Sequence, residues 1–136
     1  MPHYLFDTDW VIHYMNGHAA IRARVDRIDE GALALSVVSL AELYEGVYYS
    51  HDPEATARAV GDFVDGVKVL AVDAAVCQIF GRERGRLRQI GRTIGDFDLI
   101  IGATAIRHEM TLLTNTRKHF SLIDGLVIES SQDSPA

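Results

Sequence analysis

The chain has very little cysteine, with Cys77 as its single thiol among 136 residues. One cysteine cannot form an internal disulfide, so a fold held together by disulfides within the chain is excluded. Because the pattern around Cys77 is helical, we expect its thiol to be a small buried hydrophobe. Repeats, low-complexity tracts and interdomain linkers are also lacking. The length suits one domain with a substantial core.

The chain also lacks long apolar runs and an excess of basic charge. No stretch could span a membrane, and the first residues lack the features of a signal peptide, so we expect a cytoplasmic protein. The net charge of -6 by itself argues against a general nucleic-acid binder. However, five of the 13 basic residues lie within residues 81–92, so the basic charge is concentrated in one segment. The net charge of the whole chain therefore does not exclude binding to nucleic acid.

Apolar strands alternate with helical patterns along the chain. Short apolar runs predict strands at residues 4–6, 32–38, 67–72, 111–114 and 126–128. Helical spacing predicts helices at residues 8–15, 18–28, 39–48, 53–66, 74–89 and 98–108, with Asp73 as the cap of the longest. The alternation predicts an α/β fold with a parallel sheet between helices. We assign residues 1–129 to this domain and expect residues 130–136 to form a frayed tail.

Carboxylates follow strands or begin helices at three separate places. Asp7 ends the first apolar strand, and Asp9 follows it. Glu42 lies early in the helix after the second strand, and Asp96 and Asp98 open a later helix. Ligands of parallel sheets bind outside the carboxyl ends of the strands, and carboxylates gathered there need a cation, for which Mg²⁺ is the usual choice. We therefore predict a divalent-metal site for phosphoryl transfer or nuclease chemistry.

Each acid also has a purely structural interpretation. Asp7 and Asp9 suit the N-cap of a helix, and Ser39 with Glu42 fits a capping box. The acids that open the later helix are favoured there by the helix dipole. All of them lie where a strand ends or a helix begins, which is the same edge of an α/β sheet. This shared location favours one common site.

Together these motifs resemble the PIN-domain nucleases, specifically the VapC toxins of bacterial toxin–antitoxin pairs. The matching segments are FDTD at residues 6–9, SLAELxxG at 39–46, GRTIGDFDxxIGA at 91–103 and LLTNTRKHF at 112–120. They occur in the order and spacing of the family and cover nearly the whole chain. The resemblance implies a three-layer α/β/α fold with a short parallel sheet, and RNA hydrolysis that depends on Mg²⁺ or Mn²⁺.

The resemblance also implies roles for the acids. Asp7, Glu42 and Asp98 are the implied catalytic residues and metal ligands. Asp96 is implied as an accessory ligand, and Asp9 falls where the family has a residue that supports the ligands.

The last motif departs from the family pattern. Many PIN domains have a further Asp or Asn two residues after its threonine, where this chain has Thr116. The resemblance therefore leaves the number of metal ions open, as one or two. Thr114 and Asn115 are expected to support the site by orienting water or holding a phosphate.

Basic and aromatic residues lie beside these motifs. Two faces of the helix at residues 74–89 are basic and a later loop adds two cations, which either form a solvated surface or bind RNA phosphates. These candidate RNA contacts are Arg82, Arg84, Arg86, Arg88, Arg117 and Lys118. Tyr44 and Tyr48, with Tyr49 beside them, indicate a packing or partner surface. The family implies a homodimer and a VapB-type antitoxin that lays an apolar helix against this region, giving a toxin–antitoxin hetero-oligomer.

Two other functions are open alternatives. A haloacid-dehalogenase-like phosphatase would use Asp7 as a nucleophile and Asp9 as a general acid, with Lys68 as a partner, but it leaves Glu42 and residues 114–120 unexplained. A non-catalytic PIN-like domain would only bind RNA or a partner. In the nuclease hypothesis tRNA is the leading substrate, because residues 91–98 resemble the tRNA-cutting members.

Overall fold

The computed structural model describes residues 3–133, in which short strands alternate with helices. The strands are β1 (Tyr4–Phe6), β2 (Leu33–Ser36), β3 (Lys68–Leu70), β4 (Thr111–Leu113) and β5 (Val127–Glu129). The helices are α1 (Thr8–Met15), α2 (Ala19–Asp26), α3 (Val37–Tyr48), α4 (Pro53–Asp65), α5 (Ala74–Gln89), α6 (Asp96–Arg107) and α7 (Arg117–Phe120). A 3₁₀ turn, Glu30–Ala32, precedes β2. Over these residues no helix is long and apolar enough to cross a membrane.

The strands form one parallel sheet in the order β3-β2-β1-β4-β5. Leu5 in the central strand β1 lies opposite Ala34 of β2 and Leu112 of β4. The chain builds β2 and β3 on one side of β1 and then crosses to the other side for β4 and β5. The carboxyl end of β1 is therefore at the switch point of the sheet, where open parallel sheets bind ligands.

Helices cover both faces of the sheet, because successive strand residues point to opposite faces. On one face Leu5 and its neighbours pack against buried residues of α5 and α6, including Leu87 and Leu99. On the other face Phe6 packs with residues of α1 to α4, including Trp10. These two cores confirm the predicted three-layer α/β/α fold.

The start of α3 differs from the sequence prediction in a way that affects the site. The helix begins at Val37, where the apolar run had predicted strand, and the side chain of Ser36 accepts a hydrogen bond from the Val38 N–H at 3.1 Å. The Ser36 side chain thus caps the helix, and Val37 and Val38 belong to α3 instead of the strand. The predicted capping box of Ser39 and Glu42 was wrong, and the Glu42 carboxylate is available for other contacts.

Three smaller predictions, on Asp73, Cys77 and the C-terminal segment, had different outcomes. Asp73 caps α5 as predicted, accepting from the Val76 N–H at 2.9 Å. Cys77 was predicted to be buried, and this was wrong: Cys77 is exposed, since α5 buries the neighbouring Val76 instead. In the segment expected to be a frayed tail, residues 130–133 hydrogen-bond to the loop after β4, and residues 134–136 lie outside the described residues.

Candidate active site

Asp7 lies at the carboxyl end of β1, directly before α1. Its backbone N–H extends the sheet by donating to the Leu113 carbonyl at 2.9 Å. Its side chain makes no capping hydrogen bond; instead Oδ2 accepts from Thr114 Oγ1 at 2.7 Å. The residue is only 4% exposed, so a carboxylate is held in a poorly solvated position at the switch point of the sheet.

Glu42 reaches the same edge from α3. Its Oε1 accepts a hydrogen bond from Thr8 Oγ1 at 2.7 Å, and the Thr8 and Ser39 hydroxyl oxygens are 2.9 Å apart. Thr8 follows Asp7 in the chain, so its hydroxyl connects the first turn of α1 to Glu42 across the α1–α3 contact. Thr8 was not singled out from the sequence, although its position between Asp7 and Asp9 was a usable signal.

Asp98 approaches from the first turn of α6. His119 of α7 lies beside it, with Nδ1 3.6 Å from Asp98 Oδ2. That distance is too long for a good hydrogen bond, so the contact is mainly electrostatic. The structure thus places a histidine next to a predicted metal ligand.

The three acids share an uncompensated negative field. Burial raises the pKa of Asp7 to about 7, against the hydrogen bond from Thr114 and with help from the charges of Asp9 and Asp98. Burial also raises the pKa of Glu42, against the Thr8 hydrogen bond and with help from Asp98 and Asp9. For Asp98, burial raises the pKa and His119 opposes the rise. Mutual effects of this kind arise only among charges that are close in space.

Asp9 and Asp96 differ in their relation to the three acids. Asp9 is exposed, but its charge contributes to the raised pKa of all three acids, so it lies near them. Asp96 points away: its largely exposed carboxylate accepts from Arg84 Nη2 at 2.6 Å. The structure does not bring Asp96 to the acids, because the first turn of α6 directs its two carboxylates about 200° apart around the helix axis.

The expected supporting residues after β4 have different roles. Thr114 donates to Asp7 and accepts from the Thr116 N–H at 3.0 Å, so its hydroxyl holds the buried acid. The side chain of Asn115 is occupied by protein partners: Oδ1 accepts from Trp10 Nε1 at 3.0 Å, and Nδ2 donates to Ser131 Oγ at 2.7 Å. Asn115 therefore ties the last described residues to α1 instead of facing the acids.

Most of the candidate RNA-binding arginines already have protein partners. Arg84 pairs with Asp96, and Arg117 pairs with Asp133 at 2.7 Å. Arg86 pairs at 2.9 Å with Glu83, a buried carboxylate that also accepts from the Asp124 N–H at 2.7 Å.

The remaining cations of the candidate set are less engaged. Arg82 lies 3.8 Å from Glu83, which is the outer limit of an ion pair. Within residues 3–133, Arg88 and Lys118 have no carboxylate within salt-bridge distance. These side chains keep their charge available to a ligand.

The donor set suits a hydrated divalent cation. Carboxylate oxygens are the ligands that Mg²⁺ prefers, and a bound cation would remove the repulsion among the acids. Over residues 3–133 no three His, Cys, Asp or Glu side chains already enclose a position for a bare ion. Mg²⁺ usually keeps several waters and binds through one or two carboxylates, so Asp7 and Asp98, with Glu42 close by, fit such an ion.

A cavity of about 460 Å³ lies away from the acids. It is between α1, α2 and α4, with Tyr14, Val25 and Phe63 in its wall. Lys68, the partner expected in a phosphatase, lines a neighbouring depression with Glu30 and Asp65, near the residues that precede β2. The structure does not bring Lys68 to Asp7, which removes one of the groups that a phosphatase would require.

Known proteins similar to this chain share both its sequence pattern and its fold. A model of the PIN domain matches residues 4–126. The tRNA(fMet)-specific endonuclease VapC of Shigella flexneri is 32% identical over 95% of this chain and 98% of its own length. Ribonuclease VapC1 of Haemophilus influenzae strain R2866 is 31% identical over 90% of this chain and 93% of its own.

Solved structures with a similar fold come from toxin–antitoxin complexes. The fold is similar to a chain of VapBC2 from Rickettsia felis bound to a promoter DNA fragment, with a TM-score of 0.86 and 28% identity over 93% of this chain and 97% of that one. It is also similar to a chain of DNA-bound VapBC from Salmonella typhimurium, with a TM-score of 0.90 and 26% identity over 96% of this chain and 99% of that one.

Proposed function

The chain belongs to the PIN-domain family and within it to the VapC group, and from this premise we propose that it is a metal-dependent endoribonuclease toxin. The observation that carries the proposal is the approach of Asp7, Glu42 and Asp98 to the carboxyl edge of the sheet, where burial raises the pKa of each and the charge of Asp9 adds to the rise. Such a cluster binds a divalent cation in exchange for protons.

The residues of the cluster divide the work of hydrolysis. Bound Mg²⁺, or Mn²⁺ in its place, would polarise the phosphoryl oxygen and make a water acidic enough to attack. Asp7 and Asp98 would hold the cation, and Thr114 fixes the Asp7 carboxylate in position. Glu42, oriented by Thr8, holds the attacking water and takes up its proton.

We propose tRNA as the substrate class. The supporting observation is that the relative from Shigella flexneri, which is 32% identical, is named as a tRNA(fMet)-specific endonuclease. The cation-bearing surface that flanks the acids is suited to a polyanion. tRNA is found in the cytoplasm, so we propose that the toxin acts there.

The proposed partner is a VapB-type antitoxin, with the toxin present as a homodimer in the hetero-oligomer. Support comes from the similar VapBC complexes, two of which carry DNA. An exposed aromatic surface on α3 is available for the antitoxin: Tyr44 is half-exposed and Tyr48 is 82% exposed. Large apolar groups left in solvent at this level indicate a partner surface.

Cleavage of total tRNA by the purified, antitoxin-free chain tests the proposal. We expect discrete fragments with Mg²⁺ and none with EDTA. Asp98→Asn should lower the rate by at least about a hundredfold, because it removes a cation ligand, and Asp62→Asn, an exposed aspartate of α4, should cleave normally. Activity that survives both EDTA and Asp98→Asn would contradict the assigned site.

Asp9→Asn separates this proposal from the phosphatase alternative. A phosphatase that uses Asp9 as its general acid would lose activity on a phosphomonoester such as p-nitrophenyl phosphate. The nuclease should keep most of its RNA cleavage, because Asp9 only adds to the field around the ligands. Loss of all RNA cleavage in Asp9→Asn, with the fold intact, would give Asp9 a more direct role than the one proposed.

A further inference from the structure

The first turn of α6 has an exposed aromatic residue next to Asp98 in sequence. Phe97 is 50% exposed and belongs to neither core, although it directly precedes Asp98. The next residue, Leu99, is fully buried and anchors this end of α6. The half-exposed phenyl ring thus belongs to the residue next to a proposed metal ligand, in the first turn of α6.

Hydrogen bonds fix the turn that precedes Phe97 and α6. Arg84 donates to the Ile94 carbonyl at 2.9 Å and to Asp96 at 2.6 Å. The Arg92 N–H donates to the Leu87 carbonyl at 2.9 Å, and Gly91 closes the turn with a φ of +68° that favours glycine. The ring therefore has a defined position before any ligand arrives, which lowers the entropy lost on binding.

Two cations near the junction of α5 and α6 have no ion-pair partner among the described residues. Arg88 and Arg92 are exposed, and over residues 3–133 neither has a carboxylate within salt-bridge distance. Both lie at the end of α5 that adjoins the start of α6, as the Arg84–Asp96 pair shows. An exposed aromatic ring and exposed guanidinium groups at one junction of two helices are the combination that binds single-stranded nucleic acid.

We propose that Phe97 stacks on a nucleobase next to the cleaved phosphodiester, and that Arg88 and Arg92 bind the adjoining RNA backbone. The substrate class that follows is an unpaired RNA segment, because bases in an A-form duplex do not expose their faces to a side chain. This inference rests on the proposed nuclease function and refines its substrate. Charge complementarity favours RNA over a protein partner, since the phosphates neutralise both arginines.

Binding of a fluorescein-labelled single-stranded RNA, measured by anisotropy in an Asp7→Asn background that leaves the RNA uncut, tests the stacking. Phe97→Leu should weaken binding roughly 5- to 150-fold, because it removes one base–aromatic stack. Phe97→Tyr keeps the ring and should bind within about twofold of the parent. An RNA duplex of the same strand should bind Phe97→Leu and the parent equally.

Phe97→Trp provides a direct signature of stacking. The natural indole of Trp10 is fully buried, so the new indole dominates any change of emission caused by a ligand at this position. Single-stranded RNA should quench this emission, and heparin, a polyanion without bases, should not. Equal quenching by both ligands would contradict stacking and leave only charge attraction.

The salt dependence of the same binding tests the two arginines. Arg88→Gln and Arg92→Gln should each reduce the slope of log K against log salt by about 0.7, the value for one phosphate contact on a single strand. Arg58→Gln is the matched control, since Arg58 is an exposed arginine of α4 without a salt bridge among the described residues. An unchanged slope in the first two variants would overturn their role.

The outcomes separate this inference from the proposed function. If the parent cleaves tRNA and Phe97→Leu binds single-stranded RNA as well as the parent, the stacking proposal is refuted and the nuclease stands. If no RNA is cut and Phe97→Leu still loses binding, the nuclease is refuted, and stacking of Phe97 on a base stands without its place beside a cleaved bond. If Phe97→Leu instead loses only a co-expressed antitoxin, the surface is a protein interface and the proposal fails.

Discussion

Replacing Asp7 by asparagine should stabilise the metal-free protein at alkaline pH while destroying the active site. The Asp7 carboxylate is buried, near Asp9 and Asp98, and its pKa is raised to about 7 from 3.8. The amide of Asp7→Asn has nearly the same shape and its oxygen can still accept from Thr114. The substitution therefore removes the charge and keeps the main hydrogen bond.

The size of the effect follows from the raised pKa of Asp7. A carboxyl with a higher pKa in the folded chain binds more protons folded than unfolded between pH 3.8 and about 7, so the free energy of unfolding falls as pH rises through that window. Full ionisation of Asp7 lowers the free energy of unfolding by about 4 kcal/mol, at about 1.4 kcal/mol per pKa unit. Between pH 5 and 8 the parent should lose about 2.5 kcal/mol from this group.

Urea unfolding in EDTA at several pH values measures this loss. The stability of Asp7→Asn should fall less than that of the parent from pH 5 to 8, with Asp62→Asn, on the surface of α4, following the parent. Addition of Mg²⁺ at pH 8 should stabilise the parent more than Asp7→Asn, since a ligand that binds only the folded state adds to its stability. Parallel pH profiles for parent and Asp7→Asn would refute the claim that burial opposes the charge.

Three further substitutions test the supporting structure. Thr114→Val removes the hydroxyl that donates to the acid of β1, so thermal melts should show a loss of about 1–3 kcal/mol; a larger loss in Thr114→Ser would contradict this. Glu83→Ala leaves Arg86 without its partner and should cost about 3 kcal/mol in urea unfolding, and an unchanged midpoint would show that the pair is dispensable. Asn115→Ala should speed amide hydrogen exchange at residues 130–133, and unchanged protection would mean that other contacts hold this segment.

The fold was largely predictable, and its misassigned boundaries have local causes. β1, α1 and α5 were predicted with their observed bounds, because each has a clear apolar pattern and a marked start. The run at residues 32–38 was assigned to one strand, but a side-chain cap from Ser36 turns the last part into helix. The four-residue helix α7 was missed because it is too short to show a periodicity.

The members of the candidate site were predictable, whereas their arrangement was not. Asp7, Glu42 and Asp98 approach the same edge of the sheet, while Asp96 turns outward to Arg84 and the charge of exposed Asp9 helps to raise the pKa of Asp7. Each pair, Asp7 with Asp9 and Asp96 with Asp98, consists of two aspartates two residues apart. The sequence therefore does not tell which member of a pair faces the site. The direction of each side chain depends on the helix turn and on partners far away in sequence.

The sequence alone determined the class of this protein. Alternating apolar segments required a parallel sheet between helices, and acids at strand ends and helix starts had to gather at one edge, because parallel strands end together. The tertiary structure alone decided the electrostatics. Burial of Asp7, the hydroxyls of Thr8 and Thr114, and the pairing of Asp96 depend on contacts between residues 12 to 107 positions apart. Solvation and hydrogen bonding act through space, so local sequence does not specify them.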